Sequence, residues 1–466
     1  MIKKQVIVVI KRQALRQRSK QKAHIAVLIS ALMMLTSAAT SAMDMGNQID
    51  LKQAYNLADK NDPQWSSIKH NYEAQKENYY QARSQLLPNI TLSAEATEQR
   101  TKNDGEDSES SQRQVYSATI QQPLFRLDSW YAFKQVKATD KQVDVEFESA
   151  KHSFIIGVLD AYLNVLRANE NLAFRKAEES AIARQKDQTE QRYEVGLIAK
   201  TDVHEAQAAF DIAAVLRIVA ERDLSLALKS LETLTGTVIS SVKSLADDFP
   251  INPPQPSDIN EWLDMAKQNN KSLKSARLTE NAAENEFKAR RAQHYPIVNL
   301  VGNYSINETN AVSNFGGSEF ETPDSETTSL AIKVELPLYT GGLTTSNRRQ
   351  AKSLLYKAQD DARFTERDVL KNTSNLVRVV DTRVAEVRAQ QLSIRSGQSA
   401  LEATQAGYEA GTRTIVDVLN AQRVLYQAKR DYADARFNYI LDSLRLKQIA
   451  GILTDKDLLS LNQWLR

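Results

Sequence analysis

The chain reads as a mixed α/β tube: transmembrane β-strands at one end, very long α-helices at the other, made from one unit repeated twice. Three observations predict this. YEVGLIAKTDVHEAQ (Tyr193 to Gln207) returns as YEAGTRTIVDVLNAQ (Tyr408 to Gln422), with the Tyr, Glu, Gly, Asp-Val and Ala-Gln positions in register. A duplicated unit points to a symmetric architecture rather than to an enzyme cleft. The stretches leading into these motifs are nearly free of proline and glycine over lengths no compact domain uses. Four shorter segments alternate apolar and polar residues with a period of two, the signature of strands with one apolar face.

Residues 1–42 read as a secretory leader. Lys3, Lys4, Lys11, Arg12, Arg16, Arg18, Lys20 and Lys22 form a basic region without an acid, Ile25 to Leu35 an apolar core too short to span a bilayer, and small residues run to Ala42. Without those basic residues the overall balance of +2 turns acidic, which argues against a nucleic-acid partner. No later stretch approaches the ~18 apolar residues of a membrane helix. Any membrane crossing must therefore be made by β-strands.

The first repeat is read over 43–246. Its strands are expected at about 88–98 and 114–125: Ile90, Leu92, Ala94 and Ala96 alternate with Thr91, Ser93, Glu95 and Thr97, then Tyr116, Ala118 and Ile120 with Ser117, Thr119 and Gln121. Long helices are expected at about 129–195 and 200–235, joined at Gly196. A strap follows at 247–258, where Pro250, Pro253, Pro254 and Pro256 exclude a helix. The second repeat, 259–466, returns the plan: strands at about 296–307 and 328–339, long helices at about 345–410 and 414–450, joined at Gly411. LADKND (Leu57 to Asp62) and MAKQNN (Met265 to Asn270) open the two repeats with one short helix each. Acidic, small-residue loops, Gln99 to Gln112 and Glu308 to Ser329, separate the strands of each pair and read as solvated outer loops.

About 65 helical residues at ~1.5 Å each give ~100 Å of helix. Phe154, Val158, Ala161, Val165, Ala168 and Leu172 follow heptad steps, as do Val377, Val380, Val384 and Val387. That period specifies packed, supercoiled helices. Four strands cannot close a membrane barrel, which needs about eight. The physics thus demands two or more copies without choosing their number.

The composition removes whole classes of chemistry. There are no cysteines, and the five histidines, His24, His70, His152, His204 and His294, are scattered. Neither Gly316-Gly317 nor Gly341-Gly342 belongs to a phosphate-binding motif. No cofactor, metal site or catalytic activity is expected. The competing reading is a soluble periplasmic coiled-coil scaffold or adaptor protein whose strands form a small separate barrel.

AGYEAGTRTIVDVLNAQRVLYQAKRDYADARFNYI (Ala406 to Ile440) resembles the TolC family, outer-membrane channels of Gram-negative tripartite efflux pumps and type I secretion systems. The resemblance runs from IDLKQAYNLADKNDP (Ile49 to Pro63) to LLSLNQWL (Leu458 to Leu465). It implies a homotrimeric tube in the outer membrane, its barrel continuous with a helical periplasmic tunnel. It also implies a periplasmic adaptor protein and an inner-membrane transporter as partners, besides outer-membrane lipid. For the matching positions it implies that Asp202 accepts bonds from Tyr408 and Arg413, that Thr201 contacts the Arg413 side, and that Asp417 lines a constriction. The family's second aspartate is replaced by Asn420, which reduces the expected acidic ring. Spacing alone leaves another reading open: Asp202 and Asp417 favour the N-termini of their own helices, and Arg413 is a solvated turn residue.

Overall fold

A computed structural model describes residues 48–101, 109–310, 312–315, 318–321 and 324–466; the expected leader, 1–42, and parts of both outer loops lie outside the described residues. The first repeat contains α1 (Leu51–Asn61), α2 (Pro63–Ser84), β1 (Asn89–Thr101), β2 (Glu109–Phe125), α3 (Leu127–Glu194) and α4 (Lys200–Thr235). The second contains α5 (Ile259–Asn269), α6 (Lys271–Ala292), β3 (Ile297–Asn310), β4 (Val312–Phe315), β5 (Ser318–Glu321), β6 (Ser325–Glu335), α7 (Leu343–Glu409) and α8 (Ile415–Ile449). A short α9 (Asp455–Asn462) follows.

Three features differ from the sequence reading. Each repeat opens with two helices rather than one. Asp62 leaves the helical region and its carboxylate accepts from the Gln64 N–H at 2.9 Å, starting α2 afresh with Pro63 in the first turn. Asn270 does the same for α6, accepting from the Leu273 N–H at 2.9 Å. Secondly, the second outer loop carries its own β4–β5 hairpin; the Gly316-Gly317 dipeptide is a hairpin-turn signal that a purely solvated-loop reading passes over. Thirdly, β6 stops at Glu335 instead of continuing towards 339, because Pro337 has no N–H to offer a ladder.

The main sheet has the order β1-β2-β3-β6, all antiparallel. Register turns four alternating segments into two continuous faces. Ile90 lies opposite Ile120, Ile120 opposite Gly302 and Gly302 opposite Leu330. The next row on that face is Leu92, Ala118, Tyr304 and Thr328. This face is apolar and uncovered: Leu92 is 80% exposed and Leu330 74%. The reverse face carries Thr91, Thr119, Asn303 and Ser329, then Ser93, Ser117, Ser305 and Thr327. Its groups bond one another, Ser93 Oγ to Ser117 Oγ at 2.7 Å and Thr119 Oγ1 to Asn303 Oδ1 at 3.1 Å. Gly302 is required on the apolar face, since a Cβ there would lie 2.9 Å from Ile120 Cγ2. The strands hold 13, 17, 14 and 11 residues, enough for the ~9–11 that cross a bilayer. Among the described residues no helix is long and apolar enough to cross a membrane.

Below the sheet, α3 and α7 contain 68 and 67 residues, about 100 Å each. Their partners α4 and α8 return from the far end with 36 and 35 residues. The heptad positions Val158, Ala161, Val165 and Leu172 are buried, as are Val377, Val380, Val384 and Val387. At the start of α3, the Phe133 ring lies tilted against Tyr79 of α2, 5.3 Å between ring centroids, so these aromatics pack helix on helix.

The main hydrophobic core lies midway along the long helices, where α1, α3, α7, α8 and α9 meet the strap. Tyr162 is fully buried there and donates to the carbonyls of Ile49 at 3.2 Å and Lys243 at 2.9 Å. Burying each such large side chain contributes about 1.5–3 kcal/mol. Tyr439 pins the strap to α8 through both backbone groups of Asn252, at 3.1 and 2.8 Å. The repeats use similar joints, shifted by one residue. Asn61 Nδ2 donates to the Thr235 carbonyl at 2.7 Å beside Gly236, and Asn270 Nδ2 to the Ile449 carbonyl at 2.8 Å near Gly451. Gly451 has φ +73°, and a Cβ there would meet the Asn269 carbonyl at 2.3 Å.

Candidate functional site

The free tips of the two helical hairpins are built alike. α3 ends on Gly196 and α7 on Gly411, with φ of 78° and 77°. Gly196 N–H donates to the Tyr193 carbonyl at 2.8 Å and Leu197 N–H to that of Arg192 at 2.9 Å. Gly411 N–H donates to the Tyr408 carbonyl at 3.1 Å and Thr412 N–H to that of Gly407 at 2.8 Å. Each is a left-handed helix stop that satisfies otherwise unpaired carbonyls. Glycine is needed because a side chain strains this backbone.

The second helices then start differently. Thr414 caps α8 with a capping box: its hydroxyl accepts from the Asp417 N–H at 3.3 Å, and Asp417 Oδ2 accepts from the Thr414 N–H at 3.0 Å and from its hydroxyl at 2.9 Å. The bond from the Thr414 backbone, then that from its hydroxyl, and the nearby Arg413 hold the Asp417 carboxyl below the usual range. In the first repeat the capping position is Ala199, which makes no side-chain cap. Asp202, the counterpart of Asp417, has no Thr to bind and lies half-buried in the first turn of α4.

Tyr408, Ile415 and Val418 form a small buried cluster at the tip of the second hairpin. Tyr408 is 7% exposed, and its hydroxyl has no hydrogen-bond partner among the described residues. Thr201, Arg413 and Asn420 are exposed. Asn420 Oδ1 accepts from Arg423 at 3.1 Å. Tyr408 and Arg413 are thus gathered at one tip and Thr201 and Asp202 at the other. The single chain does not join Asp202 to Tyr408 or Arg413 by a hydrogen bond or ion pair.

Sequence reasoning missed Arg192, whose side chain does cross between the hairpins. Its guanidinium lies 4.8 Å from the centroid of the Tyr408 ring and donates at 3.4 Å to the carbonyls of Tyr408 and Glu409. The available signal was a departure between repeats: in register with Arg192 stands Gly407. Further up, Glu178 of α3 and Arg430 of α8 make an ion pair at 2.9 Å, 3% and 7% exposed. Arg175 donates to the same Glu178 oxygen at 3.0 Å. Among the described residues no group of three or more His, Asp or Glu is arranged to hold a metal ion.

The outer membrane efflux protein family matches residues 54–237 and 262–452, one block in each repeat. The chain is 35% identical over 422 residues to the outer membrane protein TolC of Vibrio cholerae, covering 90% of this chain and 94% of that protein. It is 27% identical to the alkaline protease secretion protein AprF of Pseudomonas aeruginosa, over 88% of this chain and 86% of that one. The crystal structure of the outer membrane protein VceC from Vibrio cholerae shares the fold, with a TM-score of 0.73 at 18% identity over 86% of this chain and 96% of that chain.

Proposed function

The chain belongs to the outer membrane efflux protein family, and on that premise we propose that three copies assemble into one passive exit duct for small-molecule efflux and type I protein secretion. The observation that carries this reading is the sheet: β1 and β6 are its unpaired edges, and the face that carries Ile90, Leu92, Ile120, Leu330, Ile332 and Val334 is largely apolar and uncovered. An open edge inside a bilayer leaves N–H and C=O groups unsatisfied at several kcal/mol each. Pairing β1 of one copy with β6 of the next removes every edge and turns the apolar face to lipid. The Ser, Thr and Asn face then surrounds water.

In this reading residues 1–42 direct export and are removed, and each repeat, 43–246 and 259–466, supplies half of one copy's wall. The long helices extend into the periplasm and end at a mouth formed by the hairpin tips. Asp202 accepts from Tyr408 and Arg413 there once the copies assemble. Two features support this: Ala199 leaves the Asp202 carboxylate without a cap, and the buried Tyr408 hydroxyl lacks a partner within the chain. Asp417 contributes one carboxylate per copy to the constriction, and Asn420 none. A periplasmic adaptor and an inner-membrane transporter supply the energy and open the mouth by binding the open form more tightly.

Native mass spectrometry in detergent tests the assembly. Three chains are expected, and a stable monomer or dimer carrying the complete fold rules the architecture out. The mouth is tested by Tyr408→Phe combined with Arg413→Ser, which is expected to raise single-channel conductance in planar bilayers with trimers intact.

A further inference from the structure

We propose that Arg192 latches the mouth from within each chain, by placing one positive charge between the C-terminal ends of α3 and α7. The proposal rests on the reading of the hairpin tips as a closing mouth, and adds a positioning residue to it.

The argument starts from helix direction. Both α3 and α7 run from the sheet towards the tips, so both end there. Each helix C-terminus carries about half a negative charge. Two such ends held side by side repel, and a cation between them removes the repulsion. α7 has no basic residue in its last turn, and α3 has one, Arg192. Arg192 therefore serves its own helix end and reaches the other: its two Nη atoms donate at 3.4 Å to the last carbonyls of α7, on Tyr408 and Glu409.

The side chain spans a groove of ≈ 580 Å³ lined by Gln185, Gln188, Gln405 and Tyr408 among others. At the tip end of that groove the guanidinium also lies 4.8 Å from the Tyr408 ring centroid, within range of a cation–π contact. Held from this side, the Tyr408 ring has one orientation, which fixes where its unpartnered hydroxyl is presented. A planar fork gives charge, two donors and a stacking face together; an ammonium gives only the first.

The divergence of the repeats fits this role. The second repeat has Gly407 in register with Arg192, and a Cβ at 407 would lie 2.8 Å from Arg413 Cγ. One repeat thus supplies the bridging cation and the other the notch in which Arg413 lies. A symmetric pair of tips provides neither.

The test uses the full-length trimer in planar bilayers. Arg192→Gln is expected to raise the open fraction about fivefold, the order expected from losing one charge-assisted contact. Arg192→Lys should raise it less, because charge is kept and the fork lost. Added salt should open the wild-type channel and change Arg192→Gln less, since only the contact of Asp202 with Arg413 remains to be screened in that variant, a difference that simple packing would not produce. Tyr408→Phe keeps the ring, so the effect of Arg192→Gln should persist in that background. If Arg192→Gln leaves the open fraction unchanged while Tyr408→Phe with Arg413→Ser raises it, the latch is wrong and the mouth stands. If neither raises it, the reading of the mouth itself fails. Equal opening by Gln and Lys overturns the role of charge. Should Arg192→Gln not assemble, an unchanged open fraction in Arg192→Lys overturns the proposal.

Discussion

Replacing Glu178 is expected to cost much more than replacing its partner Arg430, although both belong to one ion pair. Glu178 is 3% exposed and accepts from Arg430 at 2.9 Å and from Arg175 at 3.0 Å. Glu178→Leu takes the carboxylate from two guanidinium groups and leaves Arg430 only the neutral Gln427 Oε1, at 2.9 Å. Arg175 retains access to solvent, with 19% of its side chain exposed, but Arg430 has only 8%. Burial already depresses the Arg430 pKa against the pull of Glu178. Leaving a buried charge unpaired costs about 3–5 kcal/mol. Arg430→Met leaves Glu178 still bonded to Arg175, so its cost falls to about 1–3 kcal/mol, the range for one lost buried partner. The double variant removes both buried charges and lets Arg175 turn to water, and should lie within about 1 kcal/mol of Arg430→Met. Denaturant midpoints of the detergent-solubilised protein, followed by far-UV circular dichroism, measure all three. Equal costs for the two single variants, or strictly additive costs in the double, would refute the asymmetry drawn from this geometry.

Other perturbations separate structural from functional roles. Gly451→Ala should abolish folded protein, because a Cβ would sit 2.3 Å from the Asn269 carbonyl on a backbone with φ +73°; Gly411→Ala, with nothing within 4 Å, should cost only the left-handed strain of about 1–2 kcal/mol, as read from the yield of folded protein and its melting. Burial first, then Lys271 of α6 and Lys151 of α3, depress the pKa of His152, against the opposing pull of Glu148 and Asp455. The folded state therefore binds its proton less readily than the unfolded chain, so stability is full above about pH 6.5 and declines as pH falls below it; His152→Gln should flatten that decline in melting curves. Hexa-aquo trivalent cations should block the channel from the periplasmic side, less after Asp417→Asn and more after Asn420→Asp. Because Thr414 and Arg413 keep Asp417 ionised, wild-type block should persist below the usual carboxylate pKa, and loss of block in bilayer recordings near pH 4 would contradict it.

Local periodicity and turn chemistry made much of this protein legible in one dimension. Two-residue alternation in Ile90 to Ala96 and Leu330 to Val334 named the apolar face of the sheet, because side chains alternate along any strand whatever its neighbours. Heptad spacing at Val377, Val380, Val384 and Val387 named the buried stripe of α7. Gly196 and Gly411 named the helix stops, since only a left-handed residue ends a helix that way without strain. The break at Asp62 is also written locally, as Asp before Pro, a helix start that the expectation of one short helix passes over. Other features depend on what meets across the fold. Register set Ile120 beside Gly302, and no strand alone contains that information. The Glu178–Arg430 pair joins residues of different repeats, brought together by the way α8 packs on α3. Asp202 and Asp417 occupy equivalent positions in the repeats, yet Ala199 and Thr414 give them different partners. Along the chain, Arg192 is one more basic residue near a helix end. Only the approach of a second helix end, short of cations of its own, makes that charge a bridge, because electrostatic roles are set by neighbours in space and periodicity reports only neighbours along the chain.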